Sequence, residues 1–263
     1  MTTDRGSPPP DAKTRFSTRV EDYIRYRPRY PETLYAFLRT DLSVGQGTRV
    51  ADVGSGTGIF CEPLLGAGCT VFGVEPNAEM RAAAERLLGS RFPNFHSIDG
   101  SAEATTLQDR SVNVVACAQA FHWFDPAGAK AEFTRIARPG GFVLLVWNQR
   151  DMTDSPFLAD YERQLQTWGT DYTRVAREHQ PLTEKDFTSL FSFPFRKVVF
   201  ANAQTFDFPG LRGRVLSASY TPAPGQPGHA ELLAGLRDLF DRHQAGGEVT
   251  MAYRTELYVG RRP

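Results

Sequence analysis

The stretch VADVGSGTG, residues 50–58, holds the densest cluster of chemistry-bearing positions in the chain. A β-branched run delivers Asp52, and Gly54, Gly56 and Gly58 follow at alternate positions. Glycines so placed let a strand turn tightly and let a ligand lie directly on the backbone. Amides at the start of a following helix favour electronegative ligand atoms. Glu75 ends the next apolar run, roughly 20 residues on, where a carboxylate can accept both hydroxyls of a ribose. Turns also collect glycine for structure alone, and an acid there can simply cap a helix. Loop and acid together predict a ribose-bearing cofactor. The spacing is GxGxG, whereas the dinucleotide fingerprint GxGxxG would put glycine at the position of Ile59. The pair alone does not choose between NAD and S-adenosylmethionine.

A second cluster lies upstream. Residues 25–38, RYRPRYPETLYAFL, interleave Arg25, Arg27 and Arg29 with Tyr26 and Tyr30. Arginine beside aromatics can grip nucleic acid or close over a small anion. The whole chain, at zero net charge over 263 residues, lacks the basic excess of a nucleic-acid binder. Cys61, Cys69 and Cys117 make no CxxC pair, which fits a reducing cytoplasm. The five histidines show no close ligand pairing, so no protein-bound metal is expected. No run of about 18 apolar residues predicts a membrane span, and the start lacks the apolar core of a secretory signal.

These residues need elements to position them. Five short apolar runs, RVADVG, TVFGVE, FHSIDG, VNVVACAQ and GFVLLVW, recur between 49 and 147. Near-continuous β-branched runs suit strands covered on both faces. Helical patterns alternate with them. Asn77 can cap one helix that Gly89 ends; Asp125 can cap another that Pro126 opens and Gly140–Gly141 leave. The expectation is an α/β fold, a Rossmann-like, doubly wound, mainly parallel seven-stranded sheet. The predicted boundaries are a disordered 1–14, an N-terminal helical cap over 15–46, a cofactor-binding core over 47–150, a lid with a late strand over 151–246, and a final strand over 247–263. Ser155 and Thr183 are the predicted starts of two lid helices, and 229–243 is a third.

Taken in order, VADVGSGTG, VEPNAEM, DGSAEATTL, VVACAQAFHWFD and RPGGFVLLVW resemble the core of class I S-adenosylmethionine-dependent methyltransferases. The flanks YRPRYP and YRTELYVGRR resemble a narrower group, the small-molecule enzymes similar to trans-aconitate methyltransferase. The likeness covers about 48–148, and little of 151–246 shares it. It implies S-adenosylmethionine as cofactor, with S-adenosylhomocysteine as product. It implies that Gly54, Ser55 and Gly56 pass beneath the methionine part and that Asp52 helps hold the ammonium. Glu75 takes the ribose, Pro76, Asn77 and Met80 flank ribose and adenine, and Ser101, Ala102 and Glu103 lie by the adenine. Gln119 and Ala120 close the methionine side. The segment before the core folds over the cofactor, so Tyr23, Tyr26 and either Arg27 or Arg29 reach the methionine carboxylate.

On the acceptor side, His122 is the candidate base, or else a packed histidine that seals the cofactor. Trp123, Trp147, Asn148 and Arg150, with Arg214 and Tyr220 from the lid, are candidate acceptor contacts, and each can instead brace the fold. Two departures stand out. Pro63 falls early in the helix after the glycine loop and is expected to delay or bend it. Asn113 replaces the aspartate common in the family, at a position read as structural. The expected activity is cytoplasmic O-methylation of a small carboxylate or hydroxyl. N- or C-methylation and a non-methylating scaffold remain alternatives. The expected partner is a small-molecule acceptor rather than nucleic acid or membrane, and the expected assembly is a monomer or homodimer.

Overall fold

Among the described residues, seven strands pair into one sheet in the order β3-β2-β1-β4-β5-β7-β6. They are β1 (Arg49–Val53), β2 (Thr70–Val74), β3 (Phe95–Ile98), β4 (Val112–Ala118), β5 (Ala137–Arg150), β6 (Phe195–Phe206) and β7 (Val249–Arg261). The computed structural model describes residues 20–153, 155–173, 183, 187–188, 191 and 194–262. The predicted disordered start and most of the helix predicted from Thr183 lie outside the described residues. Strands β3, β2, β1, β4 and β5 pair in parallel, and β7 runs antiparallel between β5 and β6.

Alternate residues of the central strands feed opposite cores, as the period of two requires. Ala51, Val53, Val115, Cys117 and Leu145 face one cluster with Phe133 and Ile136 of α5 (Pro126–Ile136). Val50, Val114, Ala116, Leu144 and Val146 face the other. That face is closed by Leu34 and Leu38 of α2 (Glu32–Leu42), Leu64 and Leu65 of α3 (Cys61–Gly66), and Leu88. Leu88 lies in a π-helical turn that extends α4 (Ala78–Ala84). Helices therefore cover both faces, which is why the strands read as continuous apolar runs.

The caps form as expected. Asn77 accepts from the Met80 amide, Asp125 from Gly128 and Ser155 from Leu158. Pro63 lies in the first turn of α3, and regular helix starts only at Cys61, after the turn at Gly58. Asn113 Oδ1 accepts from the Arg49 amide at 3.0 Å, tying β4 to the start of β1. The sequence places a break at Gly140–Gly141, whereas β5 runs through it from Ala137. A register shift against β4 absorbs the extra residues, and Gly140 takes a φ of 72° there.

A third core lies beyond the carboxyl ends of the parallel strands. It joins α6 (Pro156–Trp168), α7 (Phe208–Leu216) and α8 (His229–His243) through Leu158, Tyr161, Leu165, Leu211, Val215, Leu236 and Leu239. Phe206, Val249, Met251 and Tyr253 root it in the ends of β6 and β7. The short helix α1 (Val20–Tyr26) docks on α7, where a Cβ on Gly213 would run into the Tyr26 ring.

Candidate functional site

β1 ends in a turn that only glycine can make. Gly54 has a φ of 73°, and a Cβ there would lie 2.5 Å from that of Ala120. The Gly54 and Ser55 amides donate to the Val74 carbonyl, at 2.8 and 3.2 Å, so the turn is pinned to the end of β2. Gly56, at a φ of 55°, has nothing within 4 Å of the place a Cβ would take. Glu75 accepts from the Gly56 and Asn77 amides, each at 2.9 Å. Burial raises its pKa, while those two amides oppose the shift.

A cavity of about 480 Å³ opens over this turn. Its floor includes Asp52, Gly54, Ser55, Thr57 and Gln119; its far side carries Arg150, Glu162, Tyr172, Arg214, Tyr220 and Tyr253. Tyr23, Arg27, His122, Trp123, Trp147 and Asn148 line it between them. Glu75, Pro76, Asn77, Met80, Ser101, Ala102, Glu103, Ala120 and Gly56 are not in its lining. Of these, Asn77 and Met80 are buried at the start of α4, and Glu103 accepts from the Asp125 amide at the start of α5. Ser101 is bridged to Ala104, beside the buried Ala102.

Two carbonyl-type acceptor atoms on the floor lack a donor among the described residues, and the Thr57 hydroxyl has no partner there either. One is Asp52 Oδ1, on a fully buried side chain, and the other is Gln119 Oε1. Gln119 takes a φ of 57°, uncommon for a residue with a Cβ, and its Nε2 donates to the Asn148 carbonyl at 3.3 Å. Burial pushes the Asp52 carboxyl up to about 7, against the hydrogen bond from Cys61 and with help from the Glu75 charge.

The arginines separate. Arg27 lies over the Tyr23 ring, 4.9 Å from its centroid, and donates to the Ser217 carbonyl at 3.1 Å. Arg29 is exposed and pairs with Glu62 at 2.7 Å, outside the cavity. Arg25 is also exposed and sits against Tyr26. Arg150 pairs with Glu162 at 2.8 Å and donates to the Tyr172 hydroxyl. The Asn148 amide is engaged, its Oδ1 accepting from Thr255 and Asn202 and its Nδ2 donating to the Arg29 carbonyl. Trp147 packs edge-on to Tyr258, and the His122 and Trp123 rings stand 5.1 Å apart.

The sequence reading missed Thr57, Glu162, Tyr172 and Tyr253 as lining residues. Tyr253 carried a usable signal, since it shares the inward phase of β7 with Met251 and Thr255. Glu162 had none, because its partner Arg150 lies on another element. Among the described residues no His, Cys, Asp and Glu cluster could hold a metal, and no helix is long and apolar enough to cross a membrane.

Residues 51–145 match the family model described as a methyltransferase domain. An uncharacterized methyltransferase of Mycobacterium tuberculosis (strain ATCC 25618 / H37Rv) is 39% identical over 141 residues, 54% of this chain and 55% of that protein. One from Mycolicibacterium gilvum (strain PYR-GCK) is 30% identical over 199 residues, 67% of this chain and 74% of that one. The matches to the first relatives span only about half of their length. A solved structure from Anaeromyxobacter dehalogenans, titled as a proposed type II methyltransferase, superposes with a TM-score of 0.63 at 25% identity. That superposition covers 90% of this chain and 98% of that one. The chain belongs to the class I S-adenosylmethionine-dependent methyltransferases.

Proposed function

We propose that the protein transfers a methyl group from S-adenosylmethionine to an oxygen of a small molecule, a carboxylate or a hydroxyl. The observation that carries this is the pairing of two acceptors without a donor among the described residues, Asp52 Oδ1 and Gln119 Oε1, with a glycine turn open above Gly56. Buried acceptors without donors suit a ligand that brings an ammonium, and an open backbone suits one that lies flat on it. A nicotinamide dinucleotide would bring no ammonium to meet these acceptors.

In this reading Asp52 and Gln119 hold the ammonium, and Gly54, Ser55 and Gly56 support the chain that carries it. Glu75 already spends two lone-pair directions on amides, and a carboxylate offers about four, so the ribose hydroxyls take the remainder. Arg27, beside Tyr23, is the arginine for the methionine carboxylate. When bound, the cofactor supplies an electrophilic methyl carbon on a positive sulfur. The protein's part is then to align the acceptor and exclude water. Trp123 and Trp147 give apolar walls to that space. A carboxylate acceptor needs no proton removed. A hydroxyl acceptor does, and His122, which lines the cavity beside Trp123, is the candidate base. A cavity of about 480 Å³ and a chain of zero net charge fit a small, free acceptor rather than a nucleic acid.

The test is to incubate the protein with methyl-labelled S-adenosylmethionine and pools of small carboxylic acids, alcohols, phenols and amines. Label recovered as an ester or ether supports the reading. Label found only on nitrogen or carbon contradicts the oxygen chemistry, and the absence of label in all pools contradicts transfer.

A further inference from the structure

The lid side of the cavity holds more positive charge than it neutralises. Arg27, Arg150 and Arg214 enter from three elements, the segment after α1, the end of β5 and α7. Among the described lining residues, Glu162 is the only carboxylate on that side, and it pairs with Arg150. Arg214 is the telling member. It is 4% exposed, and its Nε and Nη1 have no hydrogen-bond partner among the described residues. The Nε atoms of Arg27 and Arg150 are likewise unpartnered there. A buried guanidinium with unmade hydrogen bonds is costly unless an anion meets it.

One phenol of the wall, Tyr220, senses these charges, whereas burial dominates at Tyr161 and Tyr172 and raises both. Burial alone would raise the Tyr220 pKa, yet Arg150, Arg214 and Arg27 together lower it. The pKa of Arg27 is itself lowered, by burial and then by the charge of Arg214. A single acidified phenol does not balance the remaining guanidiniums.

The cofactor does not balance them either. S-adenosylmethionine carries a sulfonium and an ammonium against one carboxylate, so loading it makes the cavity more positive. On the reading that this is its cofactor, we infer that the acceptor is a small dianion, with one carboxylate or phosphate group anchored among Arg150, Arg214 and Tyr220 beneath α7. That group is separate from the oxygen that is methylated. The anchor gives the lid its specificity, because a neutral or cationic acceptor would leave Arg214 Nε and Nη1 buried without an acceptor among the described residues, Tyr253 being the guanidinium's partner there.

The test is calorimetry on the full chain saturated with S-adenosylhomocysteine, using succinate, glutarate and propyl phosphate as probes. Butyrate, succinamide and putrescine are the controls. At least one dianion is expected to bind about tenfold or more tightly than butyrate, with succinamide and putrescine weaker still. The order of dicarboxylates against propyl phosphate identifies the anchored group. Arg214→Gln is expected to weaken the dianion by at least about tenfold while S-adenosylhomocysteine binds within about twofold of wild type. Arg214→Lys, which keeps the charge, should recover part of the loss. Equal binding of succinamide and the dianions overturns the inference, as does an Arg214→Gln protein that loses S-adenosylhomocysteine as strongly as the probe. Should that variant not fold, the wild-type series decides alone. Wild type that fails to bind S-adenosylhomocysteine overturns the methyltransferase reading and this inference together, whereas binding it without anion preference overturns this inference only.

Discussion

The Cys61 thiol donates to Asp52 Oδ2 at 3.1 Å, inside the protein and one turn from the glycine loop. Both residues are fully buried. The bond occupies one oxygen of the carboxylate and leaves the other, Oδ1, without a donor among the described residues at the cavity floor. A thiol is a weak donor, so it stabilises the ionised carboxylate less than burial opposes it.

The first prediction concerns pH. Burial pushes the Asp52 carboxyl up to about 7, from the ordinary carboxylate value of 3.8. Its contribution to folding stability is therefore fully present at low pH and is lost as pH rises from about 4 through about 7. Ligand binding runs the other way, because the ionised form meets the ammonium. Affinity for S-adenosylmethionine should rise by up to tenfold per pH unit below about 7 and level off above it. Titrations from pH 5.5 to 8.5 check this. Asp52→Asn should bind weakly and lose the rise, and Cys61→Ala should move its midpoint upward.

Glu75→Ala should weaken cofactor binding by about 1–3 kcal/mol, because charge-assisted bonds to the ribose are lost. It also frees the Gly56 and Asn77 amides, so a smaller loss of thermal stability should accompany it. Affinity equal to wild type would show that Glu75 holds the loop and not the ribose.

Gly54→Ala places a methyl group 2.5 Å from the Ala120 Cβ and forces an alanine to a φ of 73°. A destabilisation of about 1–3 kcal/mol is expected in denaturant unfolding. Gly56→Ala meets no atom within 4 Å. It should cost about 1 kcal/mol in stability, from its positive φ alone, yet block a ligand that lies on the turn.

His122→Ala separates two roles for a residue that lines the cavity. As a base, its loss should lower kcat by about 10²–10⁴ with little change in cofactor affinity. As a packed wall, its loss should weaken cofactor binding and spare kcat. Steady-state rates together with equilibrium titration distinguish the two.

The parallel core was legible because its central strands are apolar on both faces and three helices announce their caps, at Asn77, Asp125 and Ser155. The glycine turn was legible for a similar reason, since positive φ at Gly54 and Gly56 leaves a mark in residue type. The choice between Arg27 and Arg29 was not, because adjacent arginines look alike until α1 docks on α7 and turns one inward. Glu162 and Arg150 were equally opaque as a pair, since their contact depends on how α6 crosses the end of β5. Local rules name the residues that a turn or cap demands, while side chains meeting across elements depend on packing that sequence spacing does not encode.

The central claim is that this cavity floor receives an adenosyl sulfonium cofactor. The most direct measurement is calorimetric titration of the protein, in parallel, with S-adenosylmethionine, S-adenosylhomocysteine and NADH. The account predicts that both adenosyl ligands bind and that NADH does not. Binding of NADH alone would contradict it and turn the site toward hydride transfer.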